Sequence, residues 1–135
     1  MSTDLSACGV PAQCPTVLVV DDVADARDVL ARLLRCGGYK SVTAEDGPTA
    51  LAAVESDAPD LVLLDVMMPG MDGVEVLRRL RDDPRWRDLP VVLFTGIMDG
   101  PLIEEAGRLG VVDYILKGRV AGRDLLDRIE QYLPH

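Results

Sequence analysis

The chain has 135 residues, 48% hydrophobic and 27% charged, with one Phe, one Trp and a net charge of -9, a mix that fits one domain with an aliphatic core. That charge repels phosphate backbones and anionic membrane surfaces, and there is no basic stripe to offset it, so direct nucleic-acid binding is excluded. Without a long apolar span or a cationic signal sequence, the expected location is the cytoplasm and no membrane partner is expected.

Residues 1 to 15 mix Ser, Ala, Gly and Pro without periodicity and read as a flexible leader. Cys8, Cys14 and Cys36 lack metal-ligand spacing and are expected to be free thiols, while His135 is the single histidine, which removes any His-based metal cluster or Ser-His triad. Thr16 to Val20 predict a buried strand running straight into Asp21-Asp22. From about Ala24 to Arg35, Ala26, Val29, Leu30, Leu33 and Leu34 recur at helical spacing, and Gly37 and Gly38 stop that helix. Lys40 to Ala44 is a shorter, more polar strand suited to a sheet edge, and Pro48 opens a helix through Ala50, Leu51 and Val54.

Leu61 to Leu64 show no alternation of apolar and polar residues, as expected for a strand covered on both faces, and the run ends on Asp65. Pro69, Gly70 and Gly73 then punctuate a loop. Val74, Val76, Leu77 and Leu80 mark a third helix ending at Asp82-Asp83-Pro84, after which Trp86 reads as a loop anchor. Val91 to Phe94 predict a fourth strand ending at Thr95-Gly96, and Leu102, Ile103, Ala106 and Leu109 a fourth helix. Val111 to Leu116 predict a fifth strand ending at Lys117-Gly118. Leu125, Leu126, Ile129 and Leu133 line a last helix, with Tyr132 beside them. The alternation predicts an α/β fold: a doubly wound five-stranded parallel sheet, flavodoxin-like order 2-1-3-4-5, with helices on both faces.

In such a sheet the C-terminal strand ends share one edge, which gathers Asp21, Asp22, Asp65, Thr95 and Lys117. Singly, each has a structural explanation as a cap or strand end. Together, three carboxylates repel one another unless a cation lies between them, and hard oxygen ligands without nitrogen or sulfur suit Mg²⁺. Lys117 supplies a compact positive charge and Thr95 a hydroxyl, both suited to the oxygens of a phosphoryl group, which leaves Asp65 as the candidate nucleophile.

Asp21-Asp22, the stretch from Leu61 to Gly73, Thr95, and the run Asp113-Tyr114-Ile115-Leu116-Lys117 together resemble the receiver domain of two-component response regulators, over about residues 16 to 133. The resemblance implies a receiver domain spanning 16–135, of the stand-alone type because no output domain fits beside it. It implies a phosphoacceptor signalling domain rather than an enzyme, with at most slow self-catalysed phosphotransfer and dephosphorylation. Asp65 would accept a phosphoryl group from a phosphohistidine on a sensor histidine kinase or histidine phosphotransfer protein, and the phosphorylated form would bind a downstream target protein. Asp21, Asp22, Asp65 and the backbone carbonyl of Met67 would hold Mg²⁺, Lys117 would bind the phosphoryl group, Thr95 would move toward it, and Tyr114 would change rotamer to report it. Met67 and Ile97 stand where the family flanks the path of the hydrolytic water. Neither offers that water a hydrogen bond, so hydrolysis is expected to be slow.

The chain departs from the family at Gly118, where proline with a cis peptide is usual. A cis bond before a residue other than proline costs about 3 to 4 kcal/mol, so a trans Lys117-Gly118 peptide is expected. Gly118 is also the feature that supports the alternative of a degenerate receiver acting as a phosphorylation-independent interaction module. An aspartate-nucleophile phosphohydrolase would need a second aspartate where Met67 stands, and a flavin carrier would need a hydroxyl-rich loop where Asp21-Asp22 stand.

Overall fold

Backbone polar groups inside a fold must be paired, and a parallel sheet does this while offering two apolar faces for helices to cover. The computed structural model describes residues 14–96, 100–119 and 122–133. Nearly all of the expected leader, and with it Cys8, Ile97 and His135, lies outside the described residues. In chain order the elements are β1 (Thr16–Val20), α1 (Ala24–Cys36), β2 (Lys40–Ala44), α2 (Gly47–Asp57), β3 (Leu61–Leu64), α3 (Gly73–Asp82), β4 (Val91–Thr95), α4 (Gly100–Arg108), β5 (Asp113–Leu116) and α5 (Gly122–Glu130). The strands form one sheet in the order β2-β1-β3-β4-β5, every pair parallel, as the alternation of elements predicts. β2 is indeed an edge strand.

Successive side chains on a strand point to opposite faces, so the uninterrupted apolar runs feed two cores at once. Leu18, Val20, Val62, Leu64, Val91 and Leu93 pack with Val54 of α2, Leu77 and Leu80 of α3, and Ala106 of α4. Their neighbours Val17, Val19, Leu61, Leu63, Val92 and Ile115 pack with Leu30 and Leu34 of α1 and Leu125 and Ile129 of α5. Truncating one of the fully buried leucines, such as Leu64, to alanine is expected to cost about 2 to 5 kcal/mol through lost burial and the cavity left behind. Side-chain caps fix two helix starts: Asp46 accepts from the Thr49 N–H at 2.8 Å and Asp72 from the Glu75 N–H at 2.9 Å, each worth about 1 kcal/mol.

Three local expectations need correction. β5 begins at Asp113, because its register continues back from Val92↔Asp113. Val112 still donates to the Val91 carbonyl at 2.9 Å, but Val111 would face Pro90, which has no N–H to give. The last helix ends at Glu130, and Tyr132 and Leu133 follow in tight turns onto Ile129 and Glu130. Leu133 is nevertheless buried, so its place in the apolar pattern is real although it is not helical. Val29 fits helical spacing yet is 61% exposed, because Leu30 and Leu34 set the buried stripe of α1 and Val29 falls beside it. Trp86 packs partly buried against the core under Arg85, whose guanidinium lies 5.5 Å from the ring centroid, in keeping with a loop anchor. Cys14 and Cys36 are free thiols. Among the described residues no helix is long and apolar enough to cross a membrane.

Candidate phosphoacceptor site

Asp21, Asp65 and Lys117 each continue a strand by one hydrogen bond beyond its last ladder position. The Asp21 N–H donates to the Ala44 carbonyl at 3.1 Å, the Asp65 N–H to the Val20 carbonyl at 3.0 Å, and the Lys117 N–H to the Thr95 carbonyl at 2.8 Å. The backbones of these residues are therefore as fixed as the sheet itself. Asp21 and Asp65 are only 1% and 6% exposed, whereas Asp22 is open to solvent. One carboxylate oxygen of each buried aspartate accepts a backbone N–H two residues on, from Val23 to Asp21 at 2.9 Å and from Met67 to Asp65 at 3.2 Å. The other oxygen is turned to Lys117, whose ammonium bonds Asp21 Oδ2 and reaches Asp65 Oδ2 at 3.1 Å.

That ammonium feels opposing influences. Burial, the largest, lowers its pKa, but hydrogen bonds and charge from Asp21 and Asp65 together outweigh it, so the pKa sits above the ordinary lysine value. Lys117 is a firmly held cation, bridging the ends of β1 and β3 from the far side of the sheet. Its backbone occupies the second position of a turn closed by the Arg119 N–H on the Leu116 carbonyl at 3.1 Å, with Gly118 third at φ +80°. A positive φ at the third position is what a type II turn requires, and glycine accepts it without strain. The Lys117-Gly118 peptide is trans, as expected from the sequence.

The carboxylates of Asp21, Asp22 and Asp65 each offer an oxygen within 4.8 Å of the others. An all-oxygen set with two buried members fits a hard divalent cation. Two further residues shape this set. A Cβ at Gly73 would clash with the Asp65 carbonyl and lie 2.8 Å from Val66 Cα, so glycine there lets α3 start directly against the end of β3. Arg27 donates from Nη1 to the Asp21 carbonyl at 2.7 Å. Nothing local in the sequence marks Arg27, one of three arginines of α1, for this contact.

Thr95 is buried at the end of β4, beside Lys117. Tyr114 lies within β5, half-buried, its hydroxyl donating to the Ile103 carbonyl of α4 at 3.2 Å, and a Cβ at Gly107 would come within 2.9 Å of the Tyr114 hydroxyl. Met67, two residues after Asp65, is 48% exposed. The structure thus brings Asp21, Asp22, Asp65, Thr95 and Lys117 to one edge and sets Tyr114 against α4.

Known proteins resemble this chain in sequence and in fold. A family model described as the response regulator receiver domain matches residues 17–130. The response regulator PleD of Caulobacter vibrioides is 53% identical over 81 residues, 60% of this chain and 18% of that protein. The phosphate regulon transcriptional regulatory protein PhoB of Pseudomonas aeruginosa is 36% identical over 118 residues, 87% of this chain and 51% of that protein. The chain thus spans about half or less of these curated relatives. Among solved structures, the chemotaxis protein CheY4 of Vibrio cholerae superposes with TM-score 0.82 at 28% identity, over 89% of this chain and 99% of that one. A receiver protein from Pseudomonas putida gives TM-score 0.82 at 30% identity, over 90% and 99%. With the sheet order, the acidic edge and these matches in agreement, the chain belongs to the response regulator receiver domain family.

Proposed function

We propose that this domain accepts a phosphoryl group on Asp65 from a phosphohistidine of a sensor kinase or phosphotransfer protein, and that the modification switches its binding of a downstream protein. The observation that carries the reading is one ammonium, Lys117, held between the buried carboxylates of Asp21 and Asp65. In the transfer, an Asp65 carboxylate oxygen attacks phosphorus as the bond from phosphorus to the imidazole nitrogen breaks, and the electron pair leaves with the imidazole. Asp21, Asp22, Asp65 and the Met67 carbonyl would hold Mg²⁺, which when bound supplies positive charge to the phosphoryl oxygens. Lys117 exchanges a carboxylate for a phosphoryl oxygen. Thr95 offers its hydroxyl to another, and Tyr114, whose hydroxyl bonds α4, passes the change to that surface.

The alternative of a degenerate interaction module rests on Gly118, and the ammonium reaching Asp65 at 3.1 Å despite Gly118 counts against it. With a net charge of -9, the partner is expected to be a protein rather than nucleic acid. The test is intact mass after incubation with acetyl phosphate and Mg²⁺. Wild type should gain one phosphoryl group and Asp65→Asn none, whereas equal labelling of the two would refute the assignment.

A further inference from the structure

The peptide that joins Asp21 to Asp22 carries the exposed carboxylate of the acidic cluster, and its orientation decides where Asp22 points. The carbonyl of that peptide accepts the Arg27 guanidinium at 2.7 Å. Arg27 is itself placed by the first turn of α1, where its N–H donates to the Val23 carbonyl at 3.1 Å. We infer that Arg27 is a positioning residue for cation binding: it locks the Asp21-Asp22 peptide so that Asp22 is presented beside Asp21 and Asp65. The inference rests on the reading of these carboxylates as a Mg²⁺ site.

The three carboxylates are not held alike. Asp21 is fixed by the Val23 N–H and by Lys117, and Asp65 by the Met67 N–H and by Lys117. Asp22 is exposed, so its position follows mainly from the backbone that bears it. A group that fixes the bearing of a ligand without touching the metal typically changes affinity by about 10- to 100-fold.

A positive charge near the cluster should by itself repel a cation, which gives the opposite sign to positioning and makes the two separable. Arg27 lines an open surface pocket of about 200 Å³ with Thr43, Glu45 and Thr49.

The experiment is calorimetric titration of the full chain with Mg²⁺, for wild type, Arg27→Met, Arg27→Lys and Asp21→Ala/Asp22→Ala, with thermal midpoints measured alongside. Methionine keeps the aliphatic stem without a donor, and lysine keeps a donor and the charge. Positioning predicts about tenfold weaker Mg²⁺ binding in Arg27→Met, recovery to within about twofold of wild type in Arg27→Lys, and thermal midpoints close to wild type in both. Binding by Arg27→Met equal to or tighter than wild type would leave only the charge effect and overturn the inference. Equal loss in the lysine and methionine variants would overturn it too. If wild type binds no Mg²⁺, or the double aspartate variant binds as well as wild type, the metal reading itself fails and this inference falls with it.

Discussion

Two cations hold the two ends of the sheet together, and they do so with different acceptors. At the C-terminal edge Lys117 bonds two side-chain carboxylates, Asp21 and Asp65. At the N-terminal edge Arg81 of α3 donates only to backbone carbonyls: Leu109 at 2.7 Å, Leu89 at 2.9 Å, Trp86 at 3.1 Å and Gly110 at 3.2 Å. Those four oxygens belong to the segments that lead into β4 and β5. Carbonyls in a fixed backbone cannot leave, so the arginine acts as a staple; burial, the largest influence, lowers its pKa against an opposing pull from Asp88. Carboxylates can exchange one cation for another and can be modified, so under the proposed function Lys117 is a contact that changes partners. Chemistry and stability are thereby assigned to opposite ends of one sheet.

Removing each cation should therefore act differently on phosphotransfer. The largest effect expected is on phosphotransfer. Lys117→Met should slow labelling of Asp65 by acetyl phosphate about a hundredfold, the loss typical of one charge-stabilising group, and without Mg²⁺ it should also lower the thermal midpoint, because Asp21 and Asp65 are left buried without their shared counter-charge. Arg81→Met should leave the labelling rate near that of wild type. It should lower stability by about 2 kcal/mol, since several carbonyls lose a charged donor at once, measurable by urea denaturation. If Arg81→Met instead slowed labelling as much as Lys117→Met, the division between the two ends would break down.

A finer test concerns the lifetime of the phosphoryl group. If Met67 and Ile97 flank the hydrolytic water as the family resemblance implies, Met67→Asn and Ile97→Glu should each speed loss of phosphate from phosphorylated protein about tenfold, or about 1.4 kcal/mol of barrier. A wild type that loses phosphate faster than either variant would remove these positions from the water's path.

The smallest effect is expected where β5 begins. Burial, the largest influence on Asp113, raises its pKa, but hydrogen bonds from Arg128 at 3.0 Å, the Tyr114 N–H at 2.8 Å and the Tyr132 hydroxyl at 3.1 Å outweigh it, so the net pKa lies below the usual carboxylate value. A depressed folded-state pKa contributes stability above the unfolded carboxylate pKa of about 4, lost as pH falls through the lower folded value. Asp113→Asn should remove about 0.5 kcal/mol at pH 7 and flatten the acid side of the stability profile, with labelling unchanged. A steeper acid side in the variant would contradict the sign.

Most of this division was legible in the sequence because it follows from periodicity. Apolar runs without alternation announced strands buried on both faces, and their endings on Asp21, Asp65, Thr95 and Lys117 located the chemical edge. What the sequence concealed depends on geometry across distant segments. Arg81 looks like one more charged residue of an amphipathic helix, since nothing local marks the four carbonyls it reaches. Arg27 is similarly anonymous until α1 folds back over the Asp21 carbonyl. Gly73 was readable as a loop residue, but its contact with the Asp65 carbonyl is a tertiary fact. The start of β5 was misplaced because Val111 is apolar, and only the strand register reveals that it would face a proline.

Asp65 as the atom-level acceptor is the claim on which the contrast between the two ends depends, and chemical trapping tests it most directly. Protein labelled by acetyl phosphate with Mg²⁺ is reduced with borohydride, which converts an aspartyl phosphate to homoserine, then digested and sequenced by mass spectrometry. The account predicts homoserine at position 65 alone, absent when Mg²⁺ is withheld and absent in Lys117→Met at early times. Homoserine at Asp21, Asp22 or any other aspartate, with Asp65 unmodified, would contradict it.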